Sequence, residues 1–151
     1  MPRSLSTALQ NEVSSQSTQI AFLIKLNLSS TIRLTNYSSD IVYDSETYEA
    51  GGTFVQVESV TERGNLEVSD LQIGFSNVSD QVRALVQAGD FTDKKVEVYI
   101  AYLDSSNDLA GAINYFTGYV SSVAITDNLD QSQLSLNISS QFANWSLKKG
   151  R

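Results

Sequence analysis

The feature that most constrains this chain is a period of two in its apolar residues. From Lys94 to Asp104 the sequence reads Lys-Lys-Val-Glu-Val-Tyr-Ile-Ala-Tyr-Leu-Asp. Val96, Val98, Ile100 and Tyr102 fall on one face of an extended strand, and Lys95, Glu97, Tyr99, Ala101 and Leu103 on the other. The same alternation opens at Gln19, where Ile20, Phe22, Ile24 and Leu26 interleave with Ala21, Leu23, Lys25 and Asn27. The second set is itself partly apolar, so this strand is expected to be buried on both faces toward its start.

Further strands follow at short intervals. Thr31 to Thr35, Ile41 to Tyr43, Thr47 to Ala50, Phe54 to Arg63, Leu66 to Phe75, Ile113 to Ile125 and the alternation of Leu134, Leu136 and Ile138 all fit extended backbone. Between them lie turn-forming clusters: Leu28-Ser29-Ser30, Asn36 to Asp40, Asp44-Ser45-Glu46, Gly51-Gly52, Arg63-Gly64-Asn65, Asp104 to Gly111 and Thr126 to Asp130. The slip in alternation between Val68 and Leu71 predicts a bulge near Ser69-Asp70. Gly118 is where the long strand is expected to bend.

Two segments depart from this period. In the first dozen residues Leu5, Leu9 and Val13 recur every four positions behind a capping Ser4 or Ser6, which predicts a short amphipathic helix. From Ser79, Val82, Leu85 and Val86 share one helical face. Asp80 suits the positive first turn, Arg83 is its i,i+3 partner, and Gly89 can take the left-handed position that ends the helix. Strands succeed one another without alternating helices. The pattern predicts a mainly β, single-domain antiparallel β-barrel or sandwich with one short internal helix and an N-terminal helix. Its expected divisions are an N-terminal helix or arm over 1–15, a β-barrel domain over 16–147, and a flexible basic tail over 148–151.

Composition limits the chemistry. The 151 residues include no cysteine and no histidine, which excludes Cys and His metal sites, thiol catalysis, disulfides and a Ser-His-Asp triad within the chain. Seventeen acidic against ten basic residues give a net charge of -7, a poor basis for holding phosphates. The N-terminus lacks the apolar stretch of a signal peptide, and the longest apolar run, Ile20 to Ile24, is too short to cross a membrane. Synthesis and assembly in a host cytoplasm are expected, with no membrane partner.

Candidate sites are few. Asp40, Asp44, Glu46, Glu49, Asp127 and Asp130 are carboxylates in turns, where acids are common. The Asp104-Ser105-Ser106-Asn107-Asp108 loop offers oxygens but lacks the spacing of a calcium loop. No phosphate-binding glycine loop is present. Tyr43, Tyr48, Tyr99, Tyr102, Tyr115 and Tyr119, with Trp145, could form a sugar-binding platform; tyrosines on strands are more often half-buried sheet residues. The expected absence of catalytic, cofactor and metal residues points away from an enzyme.

Four stretches, taken in order, resemble a known family. They are Pro2-Arg3-Ser4-Leu5 through Leu9 with Ile24-Lys25-Leu26; then Ile32-Arg33-Leu34-Thr35-Asn36, Asp40-Ile41 and Tyr43-Asp44-Ser45-Glu46-Thr47-Tyr48, closing at Ala50-Gly51-Gly52. Leu66 to Phe75 follows, with the helix over 79–88, Gly89-Asp90-Phe91 and Val96 to Leu103. The last is Phe116-Thr117-Gly118-Tyr119-Val120-Ser121-Ser122-Val123 with Leu134 to Ser140. Together they resemble small tail-tip, or baseplate hub, proteins of long-tailed bacteriophages. That family is related to the N-terminal part of the minor tail protein L of lambda-like phages and to the hub of gene transfer agents. Larger relatives carry a cysteine-bearing extension for an iron–sulfur cluster; without cysteine, no such cluster carries over, and no cofactor is implied.

The resemblance implies a structural virion protein at the tail tip. It would be a ring subunit, in a homo-oligomer of three or six copies, that joins the tail tube to the central fibre and surrounds the DNA channel. Its implied partners are the distal tail or tail-tube protein, the tape-measure protein and the central fibre or hub protein. DNA would pass without specific binding, past an acidic lumen. The expected interface residues are Leu5, Leu9 and Val13 on the N-terminal helix, Ile32 and Leu34 on one strand edge, Leu134 and Leu136 on another, and Trp145. Thr31 to Asn36 and Gln131 to Ser139 are the edges expected to pair with neighbours. The helix can equally dock on its own barrel. The alternative function is a carbohydrate-binding β-sandwich module for host attachment.

Overall fold

The structure, a computed structural model, describes residues 6–14, 18–50, 54–57, 70–76, 80–127 and 132–140. Their elements are α1 (Thr7–Val13), β1 (Gln19–Asn27), β2 (Thr31–Thr35), β3 (Ile41–Tyr43), β4 (Glu46–Tyr48), β5 (Phe54–Val57), β6 (Asp70–Ser76), α2 (Asp80–Gln87), β7 (Lys95–Leu103), β8 (Leu109–Asp127) and β9 (Ser132–Ser140). Seven strands form one antiparallel sheet in the order β2-β1-β7-β8-β9-β6-β5, and β3 and β4 form a separate hairpin. The expected antiparallel β-architecture is realised as a single sheet curled into an open half-barrel.

The period of two sorts the sheet's two faces. On the inner face, Ile24 and Leu26 of β1 pair with Val98 and Val96 of β7. Phe116 and Val120 of β8, Leu134, Leu136 and Ile138 of β9, and Leu71, Ile73 and Phe75 of β6 continue the same core. Each aliphatic side chain buried this way contributes roughly 1.5–3 kcal/mol relative to exposure. Phe91, in the turn after α2, is buried in this core and brings with it a loop that β8 holds where it enters β7. There the Asp93 N–H donates to the Val120 carbonyl, and the Val120 N–H donates to that of Lys94. The second core lies on the outer face, where Ala21, Leu23, Ala101 and Leu103 meet Ile41 and Tyr48 of the hairpin. β1 is thus buried on both faces in its middle, at Leu23 and Ile24, rather than toward its start as the sequence suggests, since Gln19 and Ile20 are exposed.

Helix and turn chemistry follow the sequence closely. Ser6 caps α1, its Oγ accepting from the Leu9 N–H at 3.3 Å. Gly89 stands at φ +73 just beyond α2, and Arg83 lies 3.9 Å from Asp80. Asp44 and Ser45 both have positive φ, as a two-residue hairpin turn with the right-handed twist of its strands requires. Ser79, Arg63 to Ser69 with the expected bulge, and the tail from 148 lie outside the described residues.

Two further expectations change. β9 is not an edge: it is paired along its length with β8 on one side and β6 on the other. A half-buried alternation reports which face a strand buries and nothing about its neighbours, so Gln131 to Ser139 read falsely as free. The irregularities of β8 fall at Ala110, Tyr115 and Ser121, which the pairing skips, rather than at Gly118. Gly118 instead permits close approach, since a Cβ there would run into the Ser139 carbonyl oxygen and the Ile138 side chain.

Gly118→Ala is therefore expected to lower stability by about 2 kcal/mol, as overpacking does. Gly89→Ala, with nothing within 4 Å of the added carbon, should lose only the roughly 1 kcal/mol of its left-handed backbone. Denaturant unfolding of the two variants checks the order; equal losses would refute the close-approach account.

Candidate assembly interface

The polar contacts of the outer face centre on one carboxylate. Glu46, at the start of β4, accepts from Lys25 Nζ of β1 at 3.0 and 2.8 Å and from Arg33 of β2 at 2.7 Å. Strand alternation puts Lys25 and Arg33 side by side, because they are register partners. Hydrogen bonds from Arg33 and then Lys25 hold the Glu46 carboxyl at about 2, well below its ordinary 4.5. Around this clamp Tyr43 packs on Tyr99 with ring centroids 5.5 Å apart. Tyr48 is buried, and that burial pushes its phenol above the ordinary range. Asp40 Oδ1 accepts from the Ala50 N–H at 2.8 Å, and Asn36 Oδ1 accepts from the Phe22 N–H at 2.7 Å.

The clamp also closes a sheet edge. β2 is the outermost strand, but Glu49 pairs with it in parallel: its carbonyl accepts from the Thr35 N–H, and its N–H donates to the Arg33 carbonyl, both at 3.1 Å. This covers part of the edge expected to recruit a neighbour.

The expected interface residues scatter. Ile32 and Leu34 are half-buried against the inner core, and Leu134 and Leu136 lie within it, so these two are not available to a partner. Leu9 is 4% exposed and sits on the chain's own sheet, over Gly111, where an added Cβ would come within 3.3 Å of its side-chain carbons. Val13 is exposed. Leu5 and Trp145 lie outside the described residues.

What the structure does bring together is a strip at the α1 end of the inner face. Ile20 and Phe22 of β1 stand opposite Tyr102 and Ile100 of β7, and Ile100 opposite Ile113 of β8. The bulge at Tyr115 turns its ring onto Phe22, edge to face with centroids 6.1 Å apart. Further along, the same face is buried; here Ile20 is 55% and Tyr115 37% exposed. Sequence reasoning missed the strip because Ile20 and Phe22 look identical in pattern to Ile24 and Leu26. Only the sheet's curl separates covered from uncovered positions.

A second surface lies on the outer face of β8, β9 and β6. The register sets Thr126, Gln133 and Ser76 abreast, then Ala124, Ser135 and Gly74, then Ser122, Asn137 and Gln72. None is charged. Elsewhere, the Asp104 carboxylate is taken up by its own loop, accepting from the Ser106 and Asp108 N–H groups at 2.8 and 3.0 Å. Among the described residues no group of three or more acids stands ready for a metal. Of the tyrosines, Tyr115 is exposed, Tyr48 is buried and the others are half-buried.

Fold and surface define an acidic β half-barrel with an exposed apolar strip. Residues 6–150 match the family described as "Baseplate hub protein, N-terminal attachment domain", and the chain belongs to that family of phage proteins. It is thus a structural component of a phage tail baseplate. Among solved structures, a chain of the "Virion of native gene transfer agent (GTA) particle" superposes with a TM-score of 0.75 over 97% of this chain, at 16% identity. The shared property is the fold. This chain spans about half of that one, 48% of its length. Chains of the Francisella PdpA-VgrG complex in lidded and lidless forms align less well. Their TM-scores are 0.41 and 0.40, at 14% and 13% identity, over 88% and 86% of this chain and 17% and 21% of theirs. No curated protein gave a significant match.

The clamp has a pH signature. Because the folded-state pKa of Glu46 lies below its ordinary value, its contribution is complete above about pH 4.5 and is lost as pH falls toward 2. The melting-temperature gap between the wild type and Glu46→Gln should be widest at neutral pH and close toward pH 2. A gap that does not change with pH would show that the carboxylate's charge is not what holds the hairpin.

Proposed function

We propose that this domain is a ring subunit of the tail tip, placed between the tail tube and the central fibre and surrounding the channel that DNA crosses. It acts by assembly and carries out no reaction of its own. The observation that carries this reading is the strip of Ile20, Phe22 and Tyr115, left open on a family member whose net charge is -7. Contiguous apolar surface on a soluble domain marks an interaction site. A closed ring uses head-to-tail contacts, so each subunit needs two different surfaces that fit each other, and the strip is one of them. The acidic balance suits a channel, because DNA gains affinity from Lys and Arg on its phosphates and this chain is poor in both. The tail-tube, tape-measure and central fibre proteins are the neighbours this position implies, with copies in threes or sixes.

An antibody against the chain should label purified particles at the tail end distal to the capsid. Ile20→Glu should reduce incorporation into tails by about tenfold or more, the loss expected for about 1.4 kcal/mol of interface. Label along the tail shaft or on the capsid, or wild-type incorporation of Ile20→Glu, would overturn the assignment of position or of surface respectively.

A further inference from the structure

The second surface a ring subunit needs can be sought among faces that an apolar strip could cover. Seating apolar side chains over a charge removes that charge from water with nothing in return, at a cost of several kcal/mol per ion. A charged part of the exterior is therefore a poor counterpart. The outer face of β8, β9 and β6 differs: its central row is Ala124, Ser135 and Gly74, flanked by Gln72 and Asn137. Two of the polar groups beside that row are already satisfied within the face. Asn137 Nδ2 donates to Ser122 Oγ at 2.7 Å, and Ser121 Oγ donates to the Asn137 carbonyl at 3.0 Å. An apolar cover would leave these bonds intact.

A second consideration selects the occupant. Two copies of a chain with net charge -7 repel each other, and the repulsion is least where the touching surfaces carry no charge. The strip and the three rows from Thr126-Gln133-Ser76 to Ser122-Asn137-Gln72 carry no charged side chain; the nearest on that face is Asp70, one row further along β6. The strip and the rows lie on opposite faces of one sheet, since Ile20, Phe22 and Ile113 share the side of the inner core while Ala124 and Ser135 alternate away from it. Surfaces on opposite sides of a subunit cannot meet each other across a two-fold axis in a simple pair. They meet head to tail, leaving one of each free at the ends to propagate.

We propose that copies of this chain associate head to tail, the strip of Ile20, Phe22 and Tyr115 on one copy seating on the Ala124-Ser135-Gly74 row of the next. This rests on the ring reading above and names the contact that would build it. Ala124 is exposed, so Ala124→Glu adds a charge to the row without touching the core, and Ile20→Glu does the same to the strip.

The test uses sedimentation of the full chain. The wild type should self-associate, and each variant alone should be monomeric, with affinity about a hundredfold weaker. Each variant keeps one intact surface, so a mixture of the two should form one-to-one dimers that grow no further. Circular dichroism identical to the wild type confirms that both fold. The contact is overturned if the wild type stays monomeric to about 1 mM, if Ala124→Glu associates like the wild type, or if the mixture remains monomeric. Failure of the underlying reading looks different. A chain missing from purified virions overturns the tail-tip assignment whatever its self-association, whereas Ala124→Glu incorporated at wild-type level overturns the head-to-tail contact alone.

Discussion

Glu46 fixes what this sheet can do at its β2 end. The curled sheet has an inner face that fills its own core, but its outer face over β1 and β7 also carries apolar residues, Ala21, Leu23, Ala101 and Leu103. Those need a cover, and the β3–β4 hairpin supplies it. Lys25 and Arg33 rise from adjacent strands beside this second core, and without a counter-charge they would oppose the hairpin's approach. One carboxylate that accepts from both resolves the conflict. Once the hairpin is seated, Tyr48 is buried and Glu49 reaches the outer edge of β2. That edge contact matters for assembly. With part of it paired, strand addition there is disfavoured, which is why the proposed contacts use the faces of the sheet.

In the second of the stretches that carry the family resemblance, several residues fasten this hairpin or the β2 end of the sheet beside it. Arg33 binds the clamp, Asn36 extends the sheet by accepting from Phe22, Asp40 holds Ala50, and Tyr43 packs on Tyr99. A fastening tolerates little variation because each donor has one acceptor at a fixed place, so it leaves a readable motif. Of the surfaces proposed for assembly, Ile20, Phe22 and Tyr115 lie outside the stretches that carry the resemblance, because many apolar side chains can fill a strip; Gly74 and Ser135 fall within two of those stretches but belong to no side-chain fastening.

This difference explains what could be read from the sequence. The strands, the Asp44-Ser45 turn, the Ser6 cap and the Gly89 terminator were legible because each depends on neighbours in the chain. Strand order was not, because pairing depends on residues far away: nothing local distinguishes β9, enclosed between β8 and β6, from an edge. For the same reason Leu134 and Leu136 looked available and are core, and Leu9 looked like a docking residue for a neighbour and rests over Gly111 of its own chain. The site was legible only as a class of protein. Ile20 differs from Ile24 in exposure and not in pattern, and exposure is a property of the curled sheet.

The missing charges then matter as much as the missing histidine and cysteine. An acidic chain resists random contact through its net charge, while the head-to-tail contact proposed above requires copies to join at one place. Keeping charge out of the strip and out of the rows around Ala124, Ser135 and Gly74 reconciles the demands. Repulsion over most of the exterior disfavours wrong orientations, and the uncharged pair leaves one approach open. Because the two surfaces face opposite ways, that approach points each subunit along the assembly rather than back onto its partner. Whether such a chain closes into a ring or runs on as a filament then depends on a single quantity, the rotation between neighbours, which the curl of the sheet between the strip and the row sets.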